Sequence, residues 1–240
     1  MINIFIGYDP LEKVAYHTLV QSIIENSSQP VSITPIAKSH LKNYYQRTRT
    51  VKESTEFSIT RFLTPFLSAY QGWSIFLDCD MVVTTDITKL WELRNEQYAV
   101  MCVKHDYKPT STRKFLNQEQ TAYPKKNWSS VMLFNNSKCK ALTPEVVQYE
   151  DGLFLHQYKW LNNENLIGDL PPDWNFLVGE EKALPNKTLP SLIHYTLGGP
   201  YFDDYRNCDY SNIWNQYKEK MTSAGISNSP SETRLKLHAC

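Results

Sequence analysis

Two aspartates, Asp78 and Asp80, interrupt an otherwise apolar run, Ser74-Ile75-Phe76-Leu77-Asp78-Cys79-Asp80-Met81-Val82-Val83. Alternation along a strand puts both carboxylates on one side and turns Cys79 away. Like charges so close raise each other's pKa unless a cation sits between them, and hard oxygen donors suit Mn²⁺ or Mg²⁺. The competing reading is a strand end whose acids cap a turn. Three further positions could join this chemistry. His194 closes a short apolar run ahead of Gly198 and Gly199, and a neutral imidazole is a common metal ligand. Arg61 precedes the acidic run and could face it, or could form a helix-surface salt bridge with Glu56. Asp106, after His105, stands where a strand ends, which also suits a plain turn.

These residues need a scaffold, and the run from Trp73 to Val83 has the length and composition of a strand buried in a parallel sheet. Ile2 to Ile6 reads as a first buried strand. It is followed at once by Gly7-Tyr8-Asp9-Pro10 and by a helix with Val14, Ala15, Leu19, Val20, Ile23 and Ile24 on one stripe. Val31 to Ile36 is a second strand. Strand, loop, helix, strand is the opening of an α/β nucleotide-binding half, in which ligands sit beyond the carboxyl ends of the strands, where Gly7, Tyr8 and Asp9 stand. Ser58 to Tyr70 has a helical pattern with a kink at Pro65, and Asp86 is placed to cap a short helix through Trp91. Tyr98–Val103, Val131–Phe134 and Leu192–His194 are further strands. From about Met221 the chain turns Ser-, Thr- and Asn-rich, the composition of a flexible tail.

The 240 residues suffice to bury about 70–75% of the unfolded surface in one domain. Lys plus Arg and Asp plus Glu both number 25, and the locally basic stretch Lys42, Arg47, Arg49, Lys52 reads as a solvated loop. That balance excludes a nucleic-acid track. Five cysteines are scattered without a C-x-x-C pair, which fits reduced thiols and a cytoplasmic location over a disulfide framework or zinc site. No run is long enough to span a membrane, leaving at most peripheral association. The oligomeric state is not readable. The aromatic later part (Trp160, Trp174, Tyr201, Phe202, Tyr205, Trp214) could form a sugar platform or pack on the sheet.

Taken in order, the pieces resemble a GT-A type glycosyltransferase of family 8, which includes glycogenin and the bacterial lipopolysaccharide galactosyl- and glucosyltransferases. The resemblance spans roughly residues 2–202. It rests on the first strand with Asp9, Arg61 ahead of Phe76-Leu77-Asp78-Cys79-Asp80, the block Trp128-Ser129-Ser130-Val131-Met132-Leu133-Phe134-Asn135, and Ile193-His194-Tyr195 followed by glycines. It implies an α/β, Rossmann-like mixed sheet flanked by helices with a smaller aromatic-rich C-terminal segment. Residues 1–220 would form one catalytic domain, nucleotide-binding to about 105 and donor-sugar and acceptor-binding beyond, and 221–240 a flexible tail.

The resemblance further implies that Asp78, Asp80 and His194 hold Mn²⁺ or Mg²⁺. Gly7, Tyr8 and Asp9 would meet the base and ribose of a UDP-sugar. Arg61, Cys79, Ser129 and Ser130 would line the donor, Gly198 and Gly199 would let backbone approach the phosphates, and Asp106 and Gln157 would act at the sugar. The implied reaction is transfer of a hexose, with retention, to a saccharide or other hydroxyl acceptor. Two departures stand out. The family's Gly-x-Lys-Pro-Trp is here Leu197-Gly198-Gly199-Pro200-Tyr201, without the lysine. Its acidic-Gln-Asp block is replaced near Gly152-Leu153-Phe154-Leu155-His156-Gln157. A sugar-nucleotide pyrophosphorylase is disfavoured because Gly7-Tyr8-Asp9-Pro10 lacks a glycine-rich basic phosphate loop, and a non-catalytic carbohydrate-binding module because the acids and histidine are intact.

Overall fold

The computed structural model describes residues 1–50, 53–106, 113–114, 118–119, 124–181 and 188–223. In chain order the elements are β1 (Ile2–Tyr8), α1 (Lys13–Glu25), β2 (Val31–Ala37), α2 (Thr64–Leu67), β3 (Trp73–Leu77), β4 (Met81–Val83), α3 (Ile87–Glu92), β5 (Val100–Cys102), β6 (Arg113–Lys114), β7 (Gln118–Glu119), β8 (Val131–Asn135), α4 (Pro144–Tyr149), α5 (Gly152–His156), β9 (Ile167–Asp169), β10 (Phe176–Leu177), β11 (Leu192–His194) and α6 (Ser211–Thr222).

Six strands form the main sheet in the order β2-β1-β3-β8-β5-β9. β1 runs parallel to β2 and β3, β8 runs antiparallel to both β3 and β5, and β9 is parallel to β5. The expected mixed α/β architecture is therefore present. β1, β3, β5 and β8 are almost wholly buried, as their largely apolar sequences require, with Asn3 of β1 exposed. A second sheet, β10-β11-β4, has its own small core of Val82, Phe176, Val178, Ile193, Tyr195 and Trp214. Helix α1 packs against β4 and α6. Ala15, Leu19 and Ile23 of its expected stripe are buried together with Tyr16, whereas Ile24 is exposed.

Three sequence expectations change. The run from Trp73 to Val83 is two strands, and β3 and β4 belong to different sheets. The residues between them carry both carboxylates, and burying charge inside a ladder would cost more than ending it there. The helix expected over Ser58–Tyr70 is a tight 3₁₀ turn, Thr60–Leu63, followed by α2 with Pro65 in its first turn, where a missing N–H costs nothing. In the basic stretch after Leu41, Lys42 is exposed and Lys52 lies outside the described residues, but the two arginines are not free in solvent. Arg49 donates to the Glu53 and Ser54 carbonyls at 3.1 and 2.7 Å, while Arg47 bonds the Glu150 carbonyl at 2.5 Å. Asp86 caps α3 as expected, accepting from the Thr88 amide at 2.9 Å. Residues 224–240, most of the expected flexible tail, lie outside the described residues, and Met221 and Thr222 complete α6.

Candidate donor and metal site

β3 ends at Leu77, and the Asp78 amide continues its ladder by donating to the Ser130 carbonyl at 3.0 Å. Two residues later the Asp80 carbonyl accepts from the Tyr195 amide at 2.9 Å, which carries the chain into the second sheet. The junction places Asp78 at the margin of one sheet and Asp80 at the margin of the other, beside His194 at the end of β11. One ligand atom from each of Asp78, Asp80 and His194 lies within 4.8 Å of the others, and all three residues are buried. Cys79 turns into the main core and is fully buried, and burial lifts its thiol pKa far above the ordinary value. Only its backbone is left to meet a donor.

The surroundings fix each ligand differently. His194 Nε2 stands 3.4 Å from Asp80 Oδ1, while its Nδ1 lies 2.8 Å from Asn175 Oδ1. Asn175 donates its own amide to the Asn127 carbonyl at 3.2 Å, so its oxygen faces His194 and accepts from Nδ1–H. With Nδ1 committed to Asn175, Nε2 is the nitrogen directed at the carboxylates and free to ligate a cation shared with them. On the other side Arg61 Nη1 reaches Asp78 Oδ1 at 2.8 Å and the Ser129 carbonyl at 2.9 Å. Its Nε donates to the Ser58 carbonyl at 3.1 Å, and its Cζ stands over the Phe57 and Phe76 rings, 5.4 and 5.2 Å from their centroids. Arg61 is thus a buried ion-pair partner and not a surface one; Glu56 pairs with Arg49 at 3.6 Å instead. Burial and the Asp80 charge push the Asp78 pKa up, against Arg61, His194 and a hydrogen bond from Ser130.

The carboxyl end of β1 is equally ordered. Asp9 Oδ1 accepts from the Leu11 amide and Oδ2 from the Glu56 amide, both at 2.9 Å, with Arg49 Nη1 3.9 Å away. Each oxygen keeps a further lone pair for a ligand. Tyr8 is half-buried, edge-on to Tyr16. A side chain at Gly7 would drive into the Phe57 ring at 2.3 Å, so its glycine is required by packing. Gly198 has φ +141, a conformation that other residues rarely adopt, and the spaces over Gly198 and Gly199 are filled by the Tyr205 and Tyr201 rings. Ser129 and Ser130 are buried against the ion pair. Gln157 caps α5, its side chain half-buried and its carbonyl bonded by Lys125 Nζ at 3.0 Å. Asp106 is exposed, next to His105, whose Nδ1 meets Glu181 at 3.0 Å.

Trp160, Trp174 and Trp214 are core residues and offer no sugar platform, whereas Tyr201, Phe202 and Tyr205 are half-buried. Sequence reasoning missed Glu12, Asn175 and His156. Glu12 is 1% exposed and accepts from Tyr201 Oη at 2.6 Å. Its pKa is pushed up to about 8, first by burial and then by the Asp80 charge, with Asp9 and Asp78 adding to it and the Tyr201 hydrogen bond opposing it. Only Asn175, polar among Trp174, Phe176 and Leu177, carried a signal in the sequence.

Glu12 makes the metal-free protein pH-sensitive in a definite direction. A carboxyl whose folded pKa lies above its unfolded value keeps its proton in the folded state and sheds it in the unfolded one, so stability falls as pH rises from about 4.5 to about 8. Glu12→Gln should remove this slope and leave the metal-free variant more stable than wild type at pH 8. Urea unfolding in chelator at pH 5 and pH 8 measures it; identical slopes for the two proteins would mean that Glu12 is ionised throughout.

Against known proteins, the model of glycosyl transferase family 8 matches residues 3–199. Protein CDI of Arabidopsis thaliana is 48% identical over 218 residues, covering 88% of this chain and 84% of that protein. General stress protein A of Bacillus subtilis (strain 168) is 25% identical over 171 residues, 59% of each chain. Among solved structures, the apo-form glycosyltransferase GlyE of Streptococcus pneumoniae TIGR4 matches with a TM-score of 0.61 at 15% identity, over 90% of this chain and 60% of that one. An active-site mutant of LgtC matches with a TM-score of 0.62 at 11% identity, over 92% and 97%. At these identities the two structures share the fold, and the chain spans about 60% of the GlyE length.

Proposed function

The chain belongs to glycosyltransferase family 8 and is a glycosyltransferase, and on that premise we propose that it transfers a hexose from a UDP-sugar to a hydroxyl of a saccharide or similar acceptor, with retention at the anomeric carbon. Mn²⁺ or Mg²⁺ is the cofactor in this reading. The observation that carries it is the buried triad of Asp78, Asp80 and His194, with the histidine's other nitrogen committed to Asn175. Two carboxylates and one neutral imidazole leave a divalent ion net positive charge. When bound, such an ion supplies Lewis-acid stabilisation to the departing diphosphate.

The chain's own residues do the rest. The bond from the anomeric carbon to the diphosphate oxygen breaks, its electron pair leaves with that oxygen, and the acceptor oxygen bonds to the anomeric carbon while its proton passes to the departing diphosphate. Arg61 opposes the rise in the Asp78 pKa and so favours the ionised ligand. Asn175 holds the His194 tautomer. Tyr8 and Asp9 receive the nucleoside at the carboxyl end of β1, in the half up to about residue 105. Ser129, Ser130, Gln157 and Asp106 serve the sugar in the half from about 106 to 220, and Gly198 and Gly199 flank the phosphates. The four cysteines among the described residues are free, which supports a reducing compartment, the cytoplasm. Among the described residues no helix is long and apolar enough to cross a membrane.

A screen of nucleotide sugars with Mn²⁺ should show nucleotide diphosphate released from one of them and abolished by EDTA. Turnover untouched by EDTA would overturn the metal reading. Asp9→Asn should weaken binding of UDP by about 1–3 kcal/mol, the cost of a mismatched buried polar partner; unchanged affinity in calorimetry would remove Asp9 from the nucleotide site.

A further inference from the structure

We propose that His156 is a positioning residue for the donor site, holding Ser129, and through it the Arg61 guanidinium, against the metal-binding acid Asp78. The proposal rests on the metal reading above. His156 is the last residue of α5, whose start is fixed by Asp151 accepting from the Leu153 amide at 2.7 Å. Its Nδ1 lies 2.8 Å from Ser129 Oγ. The carbonyl of the same serine accepts from Arg61 Nη1 at 2.9 Å, and that nitrogen is 2.8 Å from Asp78 Oδ1.

The path is contiguous and its inner members are buried: Ser129 is 4% exposed, Arg61 5% and Asp78 8%. A second contact bears on the turn that carries Arg61. The imidazole stands edge-on to Phe62, 5.2 Å between centroids, and Phe62 follows Arg61 in the 3₁₀ turn. His156 therefore clamps both the acceptor of the Arg61 hydrogen bond and the turn that carries Arg61. An arginine held in this way presents its charge to one carboxylate in one geometry, and loss of a partner outside the ligand shell lowers metal affinity through ligand orientation. Gln157 comes next in the chain, so the clamp also sets the end of α5 in register with the metal acids.

Two variants separate this role from plain packing. His156→Phe keeps a ring against Phe62 and loses the bond to Ser129, whereas His156→Asn loses the ring and keeps a polar group near Ser129. Mn²⁺ affinity is measured by calorimetry in the presence of UDP. His156→Phe should weaken Mn²⁺ binding about tenfold and His156→Asn should recover most of the loss. Combined with Arg61→Lys, His156→Phe should cost less than the product of the two single effects, because both act on one pair. Wild-type affinity in folded His156→Phe, or an effect that multiplies independently with Arg61→Lys, overturns the proposal. Absence of Mn²⁺ binding by the wild-type protein overturns the metal reading itself, and is distinguished by needing no variant.

Discussion

Asp80→Asn should lower metal-dependent transfer about 10³-fold or more while the protein stays folded. A factor of 10³ is about 4 kcal/mol of transition-state stabilisation, within what a Lewis-acid site supplies to a leaving group. The structure adds a sign for stability. The Asp80 charge raises the pKa of both Asp78 and Glu12, so in the metal-free protein it repels its neighbours. The amide should therefore leave the metal-free protein as stable as wild type or more so. Thermal melts in chelator beside steady-state rates in Mn²⁺ check both halves. A variant that loses activity only because it unfolds would make Asp80 a structural acid, and a variant retaining turnover would remove it from the metal site.

Arg61→Met should destabilise the fold by about 3–5 kcal/mol, the cost of stranding a buried carboxylate. The guanidinium is the cation at 2.8 Å from Asp78, and it also satisfies the carbonyls of Ser58 and Ser129. Methionine packs against Phe57 and Phe76 but carries no charge. On an Asp78→Asn background the same substitution should cost clearly less, because no anion is left unpaired. Urea unfolding of the four proteins in the cycle measures this. Strict additivity would show that Arg61 stabilises by packing alone and that its pairing with Asp78 is incidental.

The strands of the main sheet could be read because burial on both faces writes largely apolar runs, as in β1 and β8. The convergence of Asp78, Asp80 and His194 could be read because acids inside such a run, and a histidine at the end of another, violate the pattern. The break between β3 and β4 could not, since periodicity cannot report that two halves of one run enter different sheets. The Arg61 environment was equally hidden. A guanidinium on a helical pattern looks solvent-facing until the tertiary fold places Phe57, Phe76 and Asp78 around it. Glu12 had the appearance of a first-turn acid, stabilising near a helix N-terminus, and only the later Tyr201 explains its burial. His156 and Asn175 act through partners 27 and 19 residues away in the chain, Ser129 and His194, a kind of pairing that no local pattern encodes.

The division of the acidic run between two sheets has a mechanical consequence. Asp78 hangs from the large sheet by its amide, while Asp80 and His194 are tied to the small one. Whatever is shared among these side chains acts as a rivet across a seam, and occupancy adds directly to the cohesion of the two layers. Binding energy at such a place becomes folding energy for the weaker layer. The three short strands β10, β11 and β4 are then the unit whose opening is suppressed, and their amides should slow in hydrogen exchange before those of β1 and β3 change at all. Under the proposed function, donor capture would also tighten the small core around Trp214.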